Sequence, residues 1–253
     1  MMRPVIAVVL ATVFITQSMI AQEARSLTSF LNTFDQEHDL AKKDRDLQDL
    51  IKQYPQAGPS LLMLAQATRY TDTKWMAIRG MGDLQFRDCE PFLRKALTSP
   101  DALVRSNAAR VIGDLEFHSA EGDLIAMFAL ERDPRAIEQA SLSLSNLKVE
   151  ASVPLIRQKI PQFAGQTREW LLQALGRLGN KSDVPLIAGY LSTPDPAESS
   201  TTAVDAIEEI TGVNFGPRQT GPQGIPTFRT MQARSWWQSH RENWPRCDDC
   251  HFK

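Results

Sequence analysis

Asp101-Ala102-Leu103-Val104-Arg105-Ser106-Asn107-Ala108-Ala109-Arg110-Val111-Ile112-Gly113-Asp114-Leu115 is the stretch on which the fold turns. Ala108 and Leu115 stand seven residues apart, two helical turns on one face. The same spacing returns along the chain. Ala77, Ala108, Ala140, Leu171 and Ala203 fall in register at steps of 31, 32, 31 and 32, and Leu84, Leu115, Leu147, Leu178 and Ile210 follow seven residues later. The triplets Gly82-Asp83-Leu84, Gly113-Asp114-Leu115, Ser145-Asn146-Leu147 and Gly176-Arg177-Leu178 correspond as well.

A second motif trails the first. Pro91-Phe92-Leu93, Asp123-Leu124-Ile125, Pro154-Leu155-Ile156 and Pro185-Leu186-Ile187 align at steps of 32, 31 and 31. Each unit thus reads as a first helix, a short turn and a second helix. The second helix usually opens with Pro in its first turn, where the missing N–H has no partner to lose. Pro100-Asp101, Asp133-Pro134 and Pro194-Asp195 separate the units as turn and N-cap signals. Alanine at the repeated first-helix position suits a close approach of neighbouring helices. One helix pair cannot bury both faces and a stack can, so such units occur as arrays. The expected fold is an all-α solenoid of four helix pairs and a fifth first helix, with capping helices at both ends.

The Asp101–Leu115 stretch resembles the first helix of a HEAT-like repeat of the short, phycobilisome-lyase type, whose pattern runs Asp, Val-Arg, Ala-Ala, Leu-Gly and a final Leu. Ile112 stands in for the Leu before Gly113. Pro185-Leu186-Ile187 with Leu191 resembles the second helix. The resemblance covers roughly residues 71–212. Other units are degenerate: Lys74 and Arg168 match Arg105, but Ile137 does not.

The boundaries read as follows. Residues 1–21 form a signal peptide, with Arg3 ahead of an apolar run from Val5 to Ile15 that is too short to span a bilayer. Cleavage is expected after Ala21, with Ser18 as the fallback site and an uncleaved anchor as the alternative. Residues 22–70 are N-terminal capping helices, marked by Leu27, Phe30, Leu31 and Phe34 and then by Leu47, Leu50 and Ile51. The run Lys42-Lys43-Asp44-Arg45-Asp46 reads as a solvated face. Residues 71–212 carry the repeats. Residues 213–245 hold a loop and a Trp-rich capping helix in which Ala233, Trp236 or Trp237, His240 and Trp244 share a face. Residues 246–253 are a Cys-x-x-Cys-His tail. Ile210-Thr211-Gly212-Val213-Asn214-Phe215-Gly216, the loop and the tryptophans resemble the end of other exported bacterial HEAT-repeat proteins.

The chain is expected in the periplasm or secreted. A formal net charge of −2 gives no global pull towards nucleic acid or anionic membrane, and no segment beyond the signal is long and apolar enough to insert. Three cysteines are too few for a disulfide scaffold. Cys247, Cys250 and His251 match the c-type haem attachment pattern, in which two thiols meet the vinyl groups and the imidazole ligates iron. Nothing in the sequence specifies a second axial ligand, a place that His240 or Met231 could fill. A disulfide between Cys247 and Cys250, and a zinc site adding His240, remain alternatives. Otherwise no cofactor is expected. No nucleophile elbow, zinc-protease helix or phosphate-binding loop is present. Cys89 reads as a small buried residue and His118 as a solvated one. On the second-helix side, Arg94, Ala126, Arg157 and Ala188, with Lys95 and Lys159, align as a weak basic strip.

The expected function is a non-enzymatic scaffold that binds another, unidentified protein outside the cytoplasm. The rival is a periplasmic haem or redox protein using the tail. A third reading, an enzyme like the phycobilin lyases that share this repeat, conflicts with export, and repeats alone carry no activity across.

Overall fold

The computed structural model describes residues 22–192, 198–217 and 228–244, and among them every regular element is a helix. The chain divides into two compact units, Met1–Phe92 and Leu93–Lys253. The first holds α1 (22–36), α2 (Leu40–Gln53), α3 (Gly58–Ala67) and α4 (Thr71–Asp83). The division falls inside α5 (Glu90–Ala96). The second unit continues with α6 (Ala102–Asp114), α7 (Glu121–Leu130), α8 (Pro134–Asn146), α9 (Val153–Lys159), α10 (Gly165–Leu178), α11 (Val184–Ala188), α12 (Glu198–Thr211) and α13 (Phe228–His240). Residues 1–21, which carry the expected signal peptide, and Cys247, Cys250 and His251 lie outside the described residues.

In the first unit, α4 packs on α2 and α3. Phe34, Leu47 and Met76 form a buried cluster, with Phe30, Ile51, Leu64 and Trp75 against it. Each such side chain contributes about 1.5–3 kcal/mol by leaving water. The charge run on α2 is not wholly a solvated face. Lys42 and Arg45 are exposed, but Lys43 is fully buried. Its ammonium donates to Asp72 Oδ2 at 2.8 Å, Thr73 Oγ1 at 2.6 Å and the Glu37 carbonyl at 2.9 Å, and lies 5.4 Å from the Phe34 ring centre. A buried cation persists only with partners of this kind. Helical spacing puts Lys43 four residues before Leu47, on the inward face.

In the second unit, the first helices stack in chain order, α6 on α8, α8 on α10 and α10 on α12, and α7, α9 and α11 each lean on the next first helix. This is an α-solenoid of HEAT-like pairs. The register residues Ala108, Ala140, Leu171 and Ala203 are all fully buried. Small residues let the stack close. A Cβ on Gly113 would come within 2.5 Å of Ser143 Oγ and 2.8 Å of Ser143 Cα, and one on Gly176 within 2.8 Å of Ala206 Cα. Ser143 itself donates to the Ala109 carbonyl at 2.8 Å, tying α8 to α6. Asp101 and Asp133 cap α6 and α8, each carboxylate accepting from two amides of the first turn. Pro194-Asp195 lies outside the described residues.

The first helices of three units end alike. Gln85, Glu116 and Lys148 have φ of 55°, 53° and 57°. The amide after each bonds back to Met81, Ile112 or Leu144, and the residue's own amide bonds to Gly82, Gly113 or Ser145. These are Schellman caps built without glycine at the left-handed position. In the fourth unit the place is held by Gly179, whose φ of −77° does not use its freedom. A left-handed L-residue costs about 1–2 kcal/mol. Lys148→Gly is therefore expected to stabilise the chain by about 1 kcal/mol, read as a higher urea midpoint at unchanged slope.

Candidate functional site

The second-helix side does not carry a free basic strip. Arg94 donates to Asp123 Oδ2 at 2.5 Å. Arg157 grips Asp183 with two bonds, one of them Nη2 to Oδ2 at 2.9 Å. Lys159 is only 6% exposed, donates to the Glu131 carbonyl at 2.9 Å and lies 5.2 Å from the Phe128 ring centre. Burial holds its ammonium pKa below the ordinary value. Ala188 is buried. Arg94 and Arg157 are thus matched from the following repeat and Lys159 is held from the preceding one, while Lys95 stays exposed, so the strip is largely a ladder of internal contacts.

A related contact links α6 to the end of α7. Arg105 Nε donates to Glu131 Oε2 at 2.6 Å and Nη2 to Oε1 at 2.9 Å, while Nη1 reaches the Ser99 and Pro100 carbonyls. Glu131 Oε1 also accepts the amides of Arg132 and Asp133 at 2.9 Å each. The carboxylate is thereby held where α8 begins. Burial pushes its pKa up, but Arg105 and the two amides outweigh that and leave it below the usual range.

Between α10 and α12 a groove of about 380 Å³ opens on the first-helix side. Glu169, Trp170, Gln173 and Arg177 line one wall, and Asp205 and Glu209 the other. The helices touch at Gly176 and Ala206, so larger side chains on either side of that contact must turn outward and form the walls. Sequence reading missed this site. Its signal was Trp170, one residue before register residue Leu171, where the second and third repeats have Asn107 and Gln139.

At the C-terminal end, α13 packs on α12. Arg229, 4% exposed, pairs with Asp205 at 2.6 Å and with Glu208. Trp236 stacks on His240 at 4.9 Å and meets Phe215 and Trp244 edge-on at 5.5 and 5.7 Å. Trp244 Nε1 donates to the Lys181 carbonyl at 2.7 Å, and Arg234 Nε to the Leu191 carbonyl at 2.5 Å. The indoles therefore join α13 to the last repeat. Near His240, Nδ1 lies 2.7 Å from the Trp236 carbonyl. Met231 is exposed.

Cys89 is fully buried, with Sγ donating to the Phe86 carbonyl at 2.8 Å, and burial pushes its thiol up to about 11. A thiol so protonated is no nucleophile at neutral pH. His118 is exposed and sits 2.7 Å from Glu121. Among the described residues, no group of His, Cys, Asp and Glu is placed to hold a metal ion, and no helix is long and apolar enough to cross a membrane.

The family model for HEAT repeats matches residues 58–145. That span runs from α3 to α8 and includes the Asp101–Leu115 stretch. Residues 58–145 are HEAT repeats. The HEAT-like pairs continue structurally to α12. No curated protein matches the chain. Among solved structures, the chain is similar to one described as the complex of CpcE and CpcF of phycocyanin lyase from Nostoc sp. PCC7120, at 18% identity and a TM-score of 0.49, covering 79% of this chain and 91% of that one. The expectation of a non-enzymatic chain is corrected here. The similar structure is described as a phycocyanin lyase, which stands against that expectation. At this identity and TM-score the likeness brings no activity to this chain.

Proposed function

We propose that this HEAT-repeat chain is a helical scaffold that binds another protein, and that it works outside the cytoplasm. The carrying observation is the stack itself. The repeats at 58–145 and the stacking through α12 consume the inward faces and leave side-by-side helix surfaces as the recognition face. Arg94, Arg157 and Lys159 of the second-helix side are engaged within the stack, which leaves shape, exposed Lys95 and the groove between α10 and α12 for a partner. Export rests on the Arg3 and Val5–Ile15 pattern.

Cross-linking in intact cells followed by pull-down of the full chain tests the binding role. A defined partner, captured reciprocally when that partner is the bait, is expected. Absence of any partner under gentle conditions sinks the scaffold reading. N-terminal sequencing of the mature chain is expected to begin at Gln22, and a cytoplasmic, unprocessed chain defeats the exported location.

A second reading rests on Cys247, Cys250 and His251, whose order suits covalent haem attachment. Expression with haem-attachment machinery and a pyridine-haemochrome spectrum decide it. No added haem mass removes this reading, and loss of two hydrogens at the cysteines instead points to the disulfide.

A further inference from the structure

From Leu124 to Leu130 every residue of α7 is apolar. A helix apolar on all sides is ordinarily covered on all sides. Here Leu124, Met127 and Phe128 turn into the stack and are buried, whereas Ala126 and Ala129 are exposed and Leu130 is 85% exposed. Burial puts Leu93, Leu124 and Ile156 in one register, one residue off the motif register in α7. In that register Ala126 answers to Lys95 and Gln158, and Leu130 to Ser99 and Gln162. The second helices on either side are thus polar where α7 is apolar. Beside this face a groove of about 400 Å³, lined by Leu97, Ala126, Met127 and Leu130, lies within the second unit. The carboxylates bordering it are engaged, Asp123 with Arg94 and Glu131 with Arg105 and two amides. Lys95, on the α5 side, and Arg132, next after Glu131, are exposed. The border therefore leaves positive charge uncovered.

We propose that the outer face of α7 docks an amphipathic helix of the protein partner, with its apolar stripe on Ala126, Ala129 and Leu130 and acidic residues along its flanks. The proposal rests on the scaffold reading and names the surface and the chemistry it uses. A large apolar side chain of the guest fills the groove beside Ala126, and Leu130 leaves water against the guest helix. Ala126 and Ala129 are small enough for the two helices to approach closely. An extended peptide would need main-chain partners, and α7 spends its amides and carbonyls on its own turns, whereas a helical guest satisfies its own backbone. Acids on the guest meet Lys95 and Arg132, which fixes register and speeds encounter. The apolar strip is one helix wide between polar neighbours, so it suits a helix better than a lipid surface.

The test uses fluorescence anisotropy with the full mature chain and two labelled peptides, each made of three copies of a heptad. The acidic heptad is Leu-Glu-Ala-Leu-Leu-Ala-Glu, and the basic one has Lys in place of Glu. The acidic peptide is expected to bind, and the basic one about fivefold more weakly. Leu130→Gln and Ala126→Gln, which give α7 the residues α9 and its extension carry at these places, are each expected to weaken acidic-peptide binding about tenfold. The pair Lys95→Glu/Arg132→Glu is expected to reverse the preference between the peptides. Met63→Gln removes another exposed apolar side chain, on α3, and is expected to change affinity by less than about twofold. Because Leu130 is exposed, its variant is expected to keep the thermal midpoint. Failure of the acidic peptide to bind overturns the proposal, as does equal loss in Met63→Gln or an unchanged preference in the charge-reversed pair. Sedimentation with phosphatidylglycerol vesicles, or a dimer of the chain, that is lost in Leu130→Gln gives the face to lipid or to a second copy and overturns it too. The cross-linked partner separates the two readings. A partner that survives Leu130→Gln removes the α7 face and leaves the scaffold standing, whereas no partner for the unaltered chain removes the scaffold.

Discussion

Glu131→Ala is expected to destabilise the chain by about 3–5 kcal/mol, because it strips a buried ion pair of one partner. Glu131 is 6% exposed, so the loss leaves the Arg105 guanidinium and the amides of Arg132 and Asp133 facing a void. It also removes the negative charge nearest to buried Lys159. Urea unfolding followed by far-UV circular dichroism measures it, and a loss below about 1 kcal/mol would show that the network adds little. The pH dependence has a definite sign. The Glu131 carboxyl is held below its ordinary value in the folded chain. Its contribution is therefore fully present above the unfolded value, about 4.3, and is lost as pH falls through the lower folded value. The stability of the Glu131→Ala variant should accordingly fall less steeply than that of the unaltered chain on acidification below about pH 4.

Gly113→Val is expected to cost on the order of 3 kcal/mol, at the upper end of overpacking losses. Even a Cβ there would meet Ser143 Oγ at 2.5 Å and, more seriously, the Ser143 backbone at 2.8 Å. Backbone cannot rotate away as a side chain can, so α6 and α8 must separate and lose the Ser143–Ala109 bond. Gly122 on α7 is the contrast. A Cβ there meets nothing within 4 Å, and Gly122→Ala is expected to stabilise by about 0.5–1 kcal/mol through helix propensity. Thermal melts of the two variants should move in opposite directions. A tolerated Gly113→Val would mean the seam between the two helices can open without loss.

What could be read in advance, and what could not, follows from where each signal resides. Ala108 and Leu115 announce a helix face because helical periodicity is local, and repetition at 31 to 32 residues multiplies that local signal. Asp101 and Asp133 announce caps because an N-cap acts within its own first turn. Arg94, Arg157 and Lys159 looked free because their partners, Asp123, Asp183 and the Glu131 carbonyl, lie 26 to 29 residues away on other elements. Gln85, Glu116 and Lys148 gave no hint of a left-handed backbone, because that conformation is most often signalled by Gly or Asn. Trp170 was visible as a break in the repeat, but its acidic setting needs the facing wall of α12.

The sequence by itself determined the helical repeat, the small residues at its seam and the cap positions, since each is a matter of spacing along one chain. Tertiary structure decided which charges cancel, that Lys43 turns inward to Asp72 and that Glu131 is shared between Arg105 and the start of α8. It also decided that an indole and three carboxylates meet across one groove. Charge and shape complementarity depend on distances between elements, and stacking sets those distances only after each helix has formed.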